Sequence, residues 1–205
     1  MLFIGILSVL IVSANGLIST TEKQPSVLLK NAVHGDVYMP VIGLGTGGYG
    51  TVNGEGGDYW GPERGHNATV TWLKMGGRRI DTSNNYVSRD GIGTGWKESD
   101  VPRSEIFITS KVGPFGYNET LEEFDRILKS LQTDYVDLLL IHWPGGFSNS
   151  ESPSYKRSET WRALETLFQQ NKVNHQILRR ENKCLFIRFV QLVSVIIKSI
   201  ILSKS

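Results

Sequence analysis

Four residues whose side chains suit proton transfer stand at matching places along the chain. Asp81 and Tyr86 follow one short apolar run, Lys111 ends a second, and His142 follows a third. A tyrosine hydroxyl is a poor proton donor at neutral pH. A neighbouring ammonium stabilises the phenolate and lowers the pKa of the phenol, so this set could deliver a proton to a reacting oxygen.

The elements that must position these residues are strand–helix units of a parallel sheet. One such unit takes roughly thirty residues, which is close to the spacing of Asp81, Lys111 and His142. In a (β/α) barrel the carboxyl ends of the strands meet on one face. We therefore predict that the four side chains converge there.

The hydrophobic pattern predicts where the supporting elements lie. Three glycines, Gly91, Gly93 and Gly95, make one of the helices the weakest. A capping box of Thr120 and Glu123 indicates where another helix begins. The predicted elements are a hairpin within Asn31–Thr46, strands over Val41–Leu44, Ile106–Lys111 and Val136–Ile141 with a short strand that ends on Asp81, and helices over Asn67–Met75, Ser88–Ser99, Thr120–Leu131 and Ser158–Val173.

The order of these motifs resembles the aldo-keto reductases. The resemblance covers roughly residues 31–173. It implies an α/β fold, namely a partial (β/α)8 TIM barrel of about the first four strand–helix units, followed by a divergent C-terminal tail. The matching segments are Met39–Thr46, Arg79–Thr82 with Tyr86, Ile108–Lys111 and Leu140–Pro144.

The resemblance also implies a reaction and a role for each residue. The reaction is the NADP(H)-dependent reduction of an aldehyde or ketone, with no metal and no nucleic acid involved. Tyr86 would be the general acid, Lys111 would lower its pKa, and Asp81 would hold Lys111. His142 would orient the carbonyl or share in proton transfer. The expected cofactor-binding residues are Gly45, Thr46, Asp81 and His142, and the expected substrate-pocket residues are Tyr49 and Trp143.

Each of these residues also has a structural interpretation when taken alone. Asp81 could cap the following turn, Tyr86 could pack on a barrel rim, and Lys111 could be a solvated strand end. A lone histidine such as His142 is more often structural than catalytic. Their order and spacing together favour the reductase site.

A glycine-rich segment, Gly43–Gly48, matches the G-x-G-x-x-G pattern of dinucleotide-binding folds. That fingerprint must open a helix directly after its strand. The residues that follow show no helical periodicity. We therefore predict that these glycines shape a loop on the catalytic face.

The chain is short for a complete barrel, with 205 residues against about 250. All 22 glycines and 7 prolines precede residue 174, and residues 174–205 carry six Lys/Arg and one Glu. By resemblance, later strands would bind the nicotinamide amide and the 2′-phosphate. We expect a truncated and impaired oxidoreductase. The alternative is an inactive isoform or pseudoenzyme that associates with another chain.

The tail itself has two interpretations. Arg188 and Lys198 interrupt its apolar run, which is then too short to span a bilayer. The tail is either a segment that associates with a membrane peripherally or unselected sequence from splicing or read-through. We favour the second interpretation.

A half barrel would leave the inner face of its sheet uncovered. Because both faces of a parallel sheet are normally apolar, we expect self-association through this exposed surface. Some of the apolar residues of these strands must point inward, and the candidates are Ile80, Phe107, Ile108, Leu139 and Ile141.

The N-terminal segment indicates a compartment. Residues 1–16 predict a cleavable secretory signal, with a buried strand or a membrane anchor as alternatives, and residues 17–30 predict a linker. Sequons at Asn67 and Asn118, expected in strand-to-helix connections, would be glycosylated if the signal functions. The protein would then be secreted, and otherwise cytoplasmic. The single Cys184 excludes an internal disulfide.

Overall fold

The described part of the chain alternates strands and helices around one parallel sheet. The computed structural model describes residues 24–29, 36–47, 49–52, 55–58, 61–143 and 153–173. Its strands are β1 (Ser26–Leu29), β2 (Val37–Pro40), β3 (Leu44–Gly45), β4 (Tyr49–Val52), β5 (Glu55–Asp58), β6 (Arg79–Asp81), β7 (Phe107–Val112) and β8 (Leu138–Ile141). Its helices are α1 (Pro62–Lys74), α2 (Arg89–Glu98), α3 (Tyr117–Leu131) and α4 (Pro153–Gln169), with a 3₁₀ turn at Arg103–Glu105.

The parallel sheet has the strand order β3-β6-β7-β8. Asp81 on β6 lies opposite Thr109 on β7, which lies opposite Leu138 on β8. Beyond β8, Val136 forms a parallel bridge with Val173. Strands in chain order, each followed by a helix, are the arrangement of a (β/α) barrel. The prediction of an α/β partial barrel is confirmed.

The main core lies between this sheet and the helices. Ile80, Ile108 and Leu139 point to the same side of their strands and are buried among helix residues such as Phe124 and Leu164. Side chains alternate between the two faces of a strand, so their neighbours Asp81, Thr109 and Lys111 must face the barrel interior.

The inner face of the sheet is mostly polar, and its apolar part is covered. Phe107 and Leu138 pack against Met39 of the β1–β2 hairpin and are 6% and 1% exposed. We expected some of the strand residues to leave an apolar inner face exposed. Ile80, Ile108 and Leu139 instead pack toward the helices. Ile141 is partly buried against the same core. The expected uncovered apolar surface is therefore absent among these residues. Self-association stays a prediction.

The glycine-rich helix α2 forms because glycine allows α1 and α3 to approach it closely. A Cβ on Gly91 would lie 1.8 Å from the carbonyl oxygen of Pro62, and one on Gly93 would lie 2.2 Å from that of Ser130. A side chain at either position would force the helices apart. The residues that lower helix propensity here are the ones that permit the packing.

The starts of three helices differ from the predictions. Helix α1 begins at Pro62, a favoured first helical residue, rather than at Asn67. Helix α4 begins at Pro153 rather than at Ser158. Helix α3 begins at Tyr117 after an N-cap glycine, Gly116, and the hydroxyl of Thr120 donates to the Gly116 carbonyl from inside the helix. The capping-box prediction was wrong.

The two sequons are on helices rather than in connections. Asn67 lies within α1, and Asn118 lies in the first turn of α3; both are exposed. The first strand of the hairpin, Ser26–Leu29, falls inside the segment predicted to be a linker.

Two predictions fall outside the described residues: the signal at residues 1–16 and the tail at residues 174–205. Among the residues that are described, no helix has the length and apolar character needed to cross a membrane.

Candidate active site

An ion pair between a buried lysine and a partly exposed aspartate joins two neighbouring strands at the carboxyl edge of the sheet. The Lys111 ammonium on β7 donates to the Asp81 carboxylate at 2.6 Å and to the Thr82 carbonyl oxygen at 2.9 Å. Lys111 is only 3% exposed. A buried ammonium needs such partners, because desolvation otherwise disfavours its charge. The pair is therefore fixed in position by the sheet itself.

Tyr86 is carried above this pair by the turn that follows β6. The turn is tied to the neighbouring strand, since the Asn84 N–H donates to the Lys111 carbonyl oxygen at 2.9 Å. The Tyr86 N–H donates to the Ser83 carbonyl oxygen at 3.2 Å. The Lys111 Nζ lies 5.1 Å from the centroid of the Tyr86 ring. The cation therefore stands close to the phenol.

Gly47 supplies a surface for Tyr86. A Cβ at this position would lie 2.3 Å from Cζ and 2.7 Å from the hydroxyl oxygen of Tyr86. The backbone of the loop thus touches the end of the phenol ring. Gly47 thus lies in a loop against Tyr86, whereas Leu44–Gly45 of the predicted loop segment forms β3.

His142 follows β8 and completes the group. Its backbone N–H donates to the Val112 carbonyl oxygen at 2.8 Å. Its ring lies edge-on to the ring of Tyr86, with the two ring centroids 5.8 Å apart. Burial, and after it the positive charge of Lys111, lower the pKa of His142 from 6.5 to about 4, against the opposing effect of Asp81. The imidazole is therefore neutral at physiological pH.

The residues predicted to bind a cofactor or substrate are placed as follows. Thr46 is fully buried, and its N–H and hydroxyl both donate to the Asp81 carbonyl oxygen, at 3.1 and 2.9 Å. It thus ties β3 to β6. Gly45 borders open space, since a Cβ there would meet no atom within 4 Å. The Trp143 ring lies 4.6 Å from that of His142. Tyr49 is described only as backbone of β4.

The sequence interpretation did not single out two residues that belong to this site. Ser83 is fully buried, with its Oγ 3.0 Å from Nδ1 of His142. Arg79 is 5% exposed, and burial lowers the pKa of its guanidinium while Asp81 raises it. Strand alternation could have indicated Arg79, because it stands two residues before Asp81 and so shares its face.

The arrangement can donate hydrogen bonds to an oxygen that gains negative charge. A phenol beside a buried ammonium, together with a neutral imidazole, is suited to a carbonyl oxygen that becomes an alkoxide. The fold and this group of side chains define the class: a (β/α) barrel with a proton-donating group at the carboxyl edge of its parallel sheet.

Comparisons with known proteins identify the family within that class. The model of the aldo/keto reductase family matches residues 41–176, so the chain belongs to this family. It is 42% identical over 152 residues to glyoxal reductase of Bacillus subtilis (strain 168), covering 71% of this chain and 48% of that protein. It is 37% identical over 146 residues to 9,11-endoperoxide prostaglandin H2 reductase of Trypanosoma cruzi (strain CL Brener), covering 69% and 44%.

A solved structure of the same family is similar to this chain in fold and sequence. The crystal structure of a Bombyx mori aldo-keto reductase in complex with NADP superposes with a TM-score of 0.63 and 25% identity, covering 83% of this chain and 55% of that one. The chain spans about half the length of the curated relatives it matches.

Proposed function

We propose that this site reduces an aldehyde or ketone to an alcohol with NADP(H). The observation that carries the proposal is the buried pair of Lys111 and Asp81 directly beside Tyr86. Two relatives named as reductases, and a solved relative in complex with NADP, support the same reaction.

Tyr86 is the proton donor in this proposal. Its hydroxyl gives a proton to the carbonyl oxygen while the carbon is reduced, and the Lys111 ammonium stabilises the phenolate that remains. Asp81 accepts a hydrogen bond from Lys111 and so keeps the ammonium in place. The side chains of two successive strand–helix units, those of β6 and β7, thus supply the proton donor and the charge that stabilises its phenolate.

His142 orients the carbonyl rather than protonating it. With a pKa of about 4, its ring carries no extra proton to give at neutral pH. Its position beside Tyr86 and Trp143 puts it at the wall of the same space. The low pKa thus supports the orienting role among the two that the sequence leaves open.

NADP(H), when bound, supplies a hydride to the carbonyl carbon. The described residues fit such a group on one side, because Gly45 leaves open space at the end of β3 beside Asp81. A Cβ at this position would project into that space.

The alternative function is non-catalytic association with another chain. The observation in its favour is coverage: the chain matches only 48% of glyoxal reductase. We further propose that the chain alone turns over NADPH poorly, because the resemblance assigns the remaining cofactor contacts to later strands.

Two proteins measured in parallel test the function. One is the full chain, titrated with NADPH while its tryptophan fluorescence is followed. The other is a fusion protein, in which residues 1–173 are joined to the part of Bacillus subtilis glyoxal reductase that follows its matched segment. We expect the fusion protein to consume NADPH when glyoxal is added, with glyoxal reductase itself as the positive control. A folded fusion protein that binds NADPH and reduces no aldehyde would contradict the proposal.

A further inference from the structure

Arg89, the first residue of α2, reaches back over the turn that carries Tyr86. Its Nη1 donates to the Asn84 carbonyl oxygen at 2.8 Å. The same nitrogen donates to the carboxylate of Glu123 on α3 at 3.3 Å. The backbone N–H of Arg89 donates to the Tyr86 carbonyl oxygen at 3.2 Å. Arg89 thus holds the turn at two carbonyl oxygens, one of them that of Tyr86 itself.

Asn84 is held through both of its backbone polar groups. Its N–H donates to the Lys111 carbonyl oxygen on β7 at 2.9 Å, and its carbonyl oxygen accepts the bond from Arg89. Lys111 also carries the ammonium that lies 5.1 Å from the centroid of the Tyr86 ring. A shift of this turn relative to β7 would therefore change the distance between the phenol and the ammonium.

The pair of Arg89 and Glu123 is shielded from water, since each of the two side chains is only 16% exposed. Salt screens such a pair less than a pair on the surface. Helix α2 itself gains nothing from this cation, because the N-terminal end of a helix dipole is positive and disfavours a basic residue in the first turn. The favourable contacts of the guanidinium are therefore those with the turn and with α3.

We propose that Arg89, held by Glu123, is a positioning residue that fixes the Tyr86 phenol beside the Lys111 ammonium. Glu123 orients the guanidinium, and the guanidinium holds the turn through the Asn84 carbonyl oxygen. Arg89 acts through the backbone of the turn. The inference rests on the proposed function for its catalytic meaning, while the rigidity of the turn can be measured without any turnover.

The first experiment measures amide hydrogen exchange of the full chain by NMR. Arg89→Met removes the charged donor and keeps most of the apolar stem. We expect the amides of Asn84 and Tyr86 to exchange about 10-fold faster in this variant, which is the scale of one hydrogen bond from a charged donor. Glu123→Gln is the milder variant, because it removes only the charge that holds Arg89, and it should change the same amides in the same direction.

Arg103→Met is the matched control. Arg103 also forms a shielded pair with a carboxylate, that of Asp137, with side chains 12% and 13% exposed. It also donates to backbone carbonyl oxygens, those of Ile106 and Tyr135. These residues precede β7 and β8, at the edge of the sheet opposite the site. The control should lower the stability of the whole chain and leave the exchange of the turn amides at its wild-type rate.

The second experiment measures kcat in the fusion protein, corrected for the folded fraction. Arg89→Met should lower kcat by about 10- to 100-fold, because a misplacement of about 1 Å has costs of this order, with the KM for NADPH nearly unchanged. Arg89→Lys should recover part of the loss, since a single nitrogen makes both side-chain bonds. The double variant with Glu123→Gln should lose no more than Arg89→Met alone, because the two residues act as a unit.

The proposal is overturned if the turn amides of Arg89→Met exchange at the wild-type rate, or if Arg103→Met accelerates them equally. A wild-type kcat in folded Arg89→Met would overturn it as well. The parent fusion protein separates these failures from failure of the proposed function. An active parent with unchanged exchange in Arg89→Met contradicts only the role of Arg89. Faster exchange in that variant, together with an inactive parent, contradicts only the reaction.

Discussion

Replacement of Gly47 by alanine should move Tyr86 out of its reactive position. The added Cβ would stand 2.3 Å from Cζ of the ring, whereas ordinary contact begins at 3.4 Å, so the ring must shift by about 1.1 Å. A misplacement of about 1 Å can cost on the order of 100-fold in rate. This corresponds to about 2.7 kcal/mol in the activation free energy. We expect a loss of this size in kcat.

The assay compares Gly47→Ala with Gly45→Ala in the fusion protein. A Cβ at Gly45 meets no atom within 4 Å, so Tyr86 should stay in place. That variant should raise the KM for NADPH rather than lower kcat, because the methyl group enters the space proposed for the cofactor. Unfolding curves for both variants show whether either loss comes from misfolding. A folded Gly47→Ala protein with wild-type kcat would refute the placement of Tyr86 against this loop.

Three further predictions concern charge and packing. Lys111→Met should destabilise the full chain by about 3 kcal/mol in denaturant unfolding, because the Asp81 carboxylate loses its buried partner; a change below about 1 kcal/mol would contradict this. His142 should titrate near 4 by NMR, and stability should fall as the pH drops from about 6.5 to about 4, because the unfolded chain takes up that proton first. This pH-dependent fall in stability should be absent in the His142→Gln variant. Gly91→Ala should destabilise by about 1–3 kcal/mol through its 1.8 Å clash with the Pro62 oxygen, while Gly61→Ala, with nothing nearby, should stay within about 0.5 kcal/mol.

The positions of the site residues could be predicted from the sequence because they follow from strand ends. Asp81, Lys111 and His142 each stand at or just after the end of a short apolar run, and parallel strands bring these ends to one edge. The structure places Lys111 against Asp81, and His142 beside Tyr86. The spacing of strand–helix units was sufficient for this prediction.

Contacts between elements could not be predicted in the same way. Helix propensity counts the local cost of Gly91 but not the closeness of the neighbouring helix that makes glycine necessary. The capping pattern at Thr120 satisfied a local rule, yet the helix begins earlier, where Gly116 ends the preceding loop. The burial of Phe107 depends on Met39 of the hairpin, which no strand pattern indicates.

The bond between Ser83 and His142 shows the same limit within the site. It joins two loops that are 59 residues apart, and a small polar residue in a turn carries no periodic signal. The sequence could therefore predict which groups meet, but not which hydrogen bonds connect them.

Tyr86 gives the proton to the carbonyl oxygen in the proposed reaction. The measurement that tests it most directly is the kcat of the Tyr86→Phe fusion protein with an aldehyde, set beside its NADPH affinity from tryptophan fluorescence. A positioned general acid contributes about 100- to 10,000-fold. We expect a loss of kcat in this range with nearly unchanged affinity, because the hydroxyl gives the proton and does not hold the nucleotide. Turnover by Tyr86→Phe within a few-fold of the parent fusion protein would contradict it.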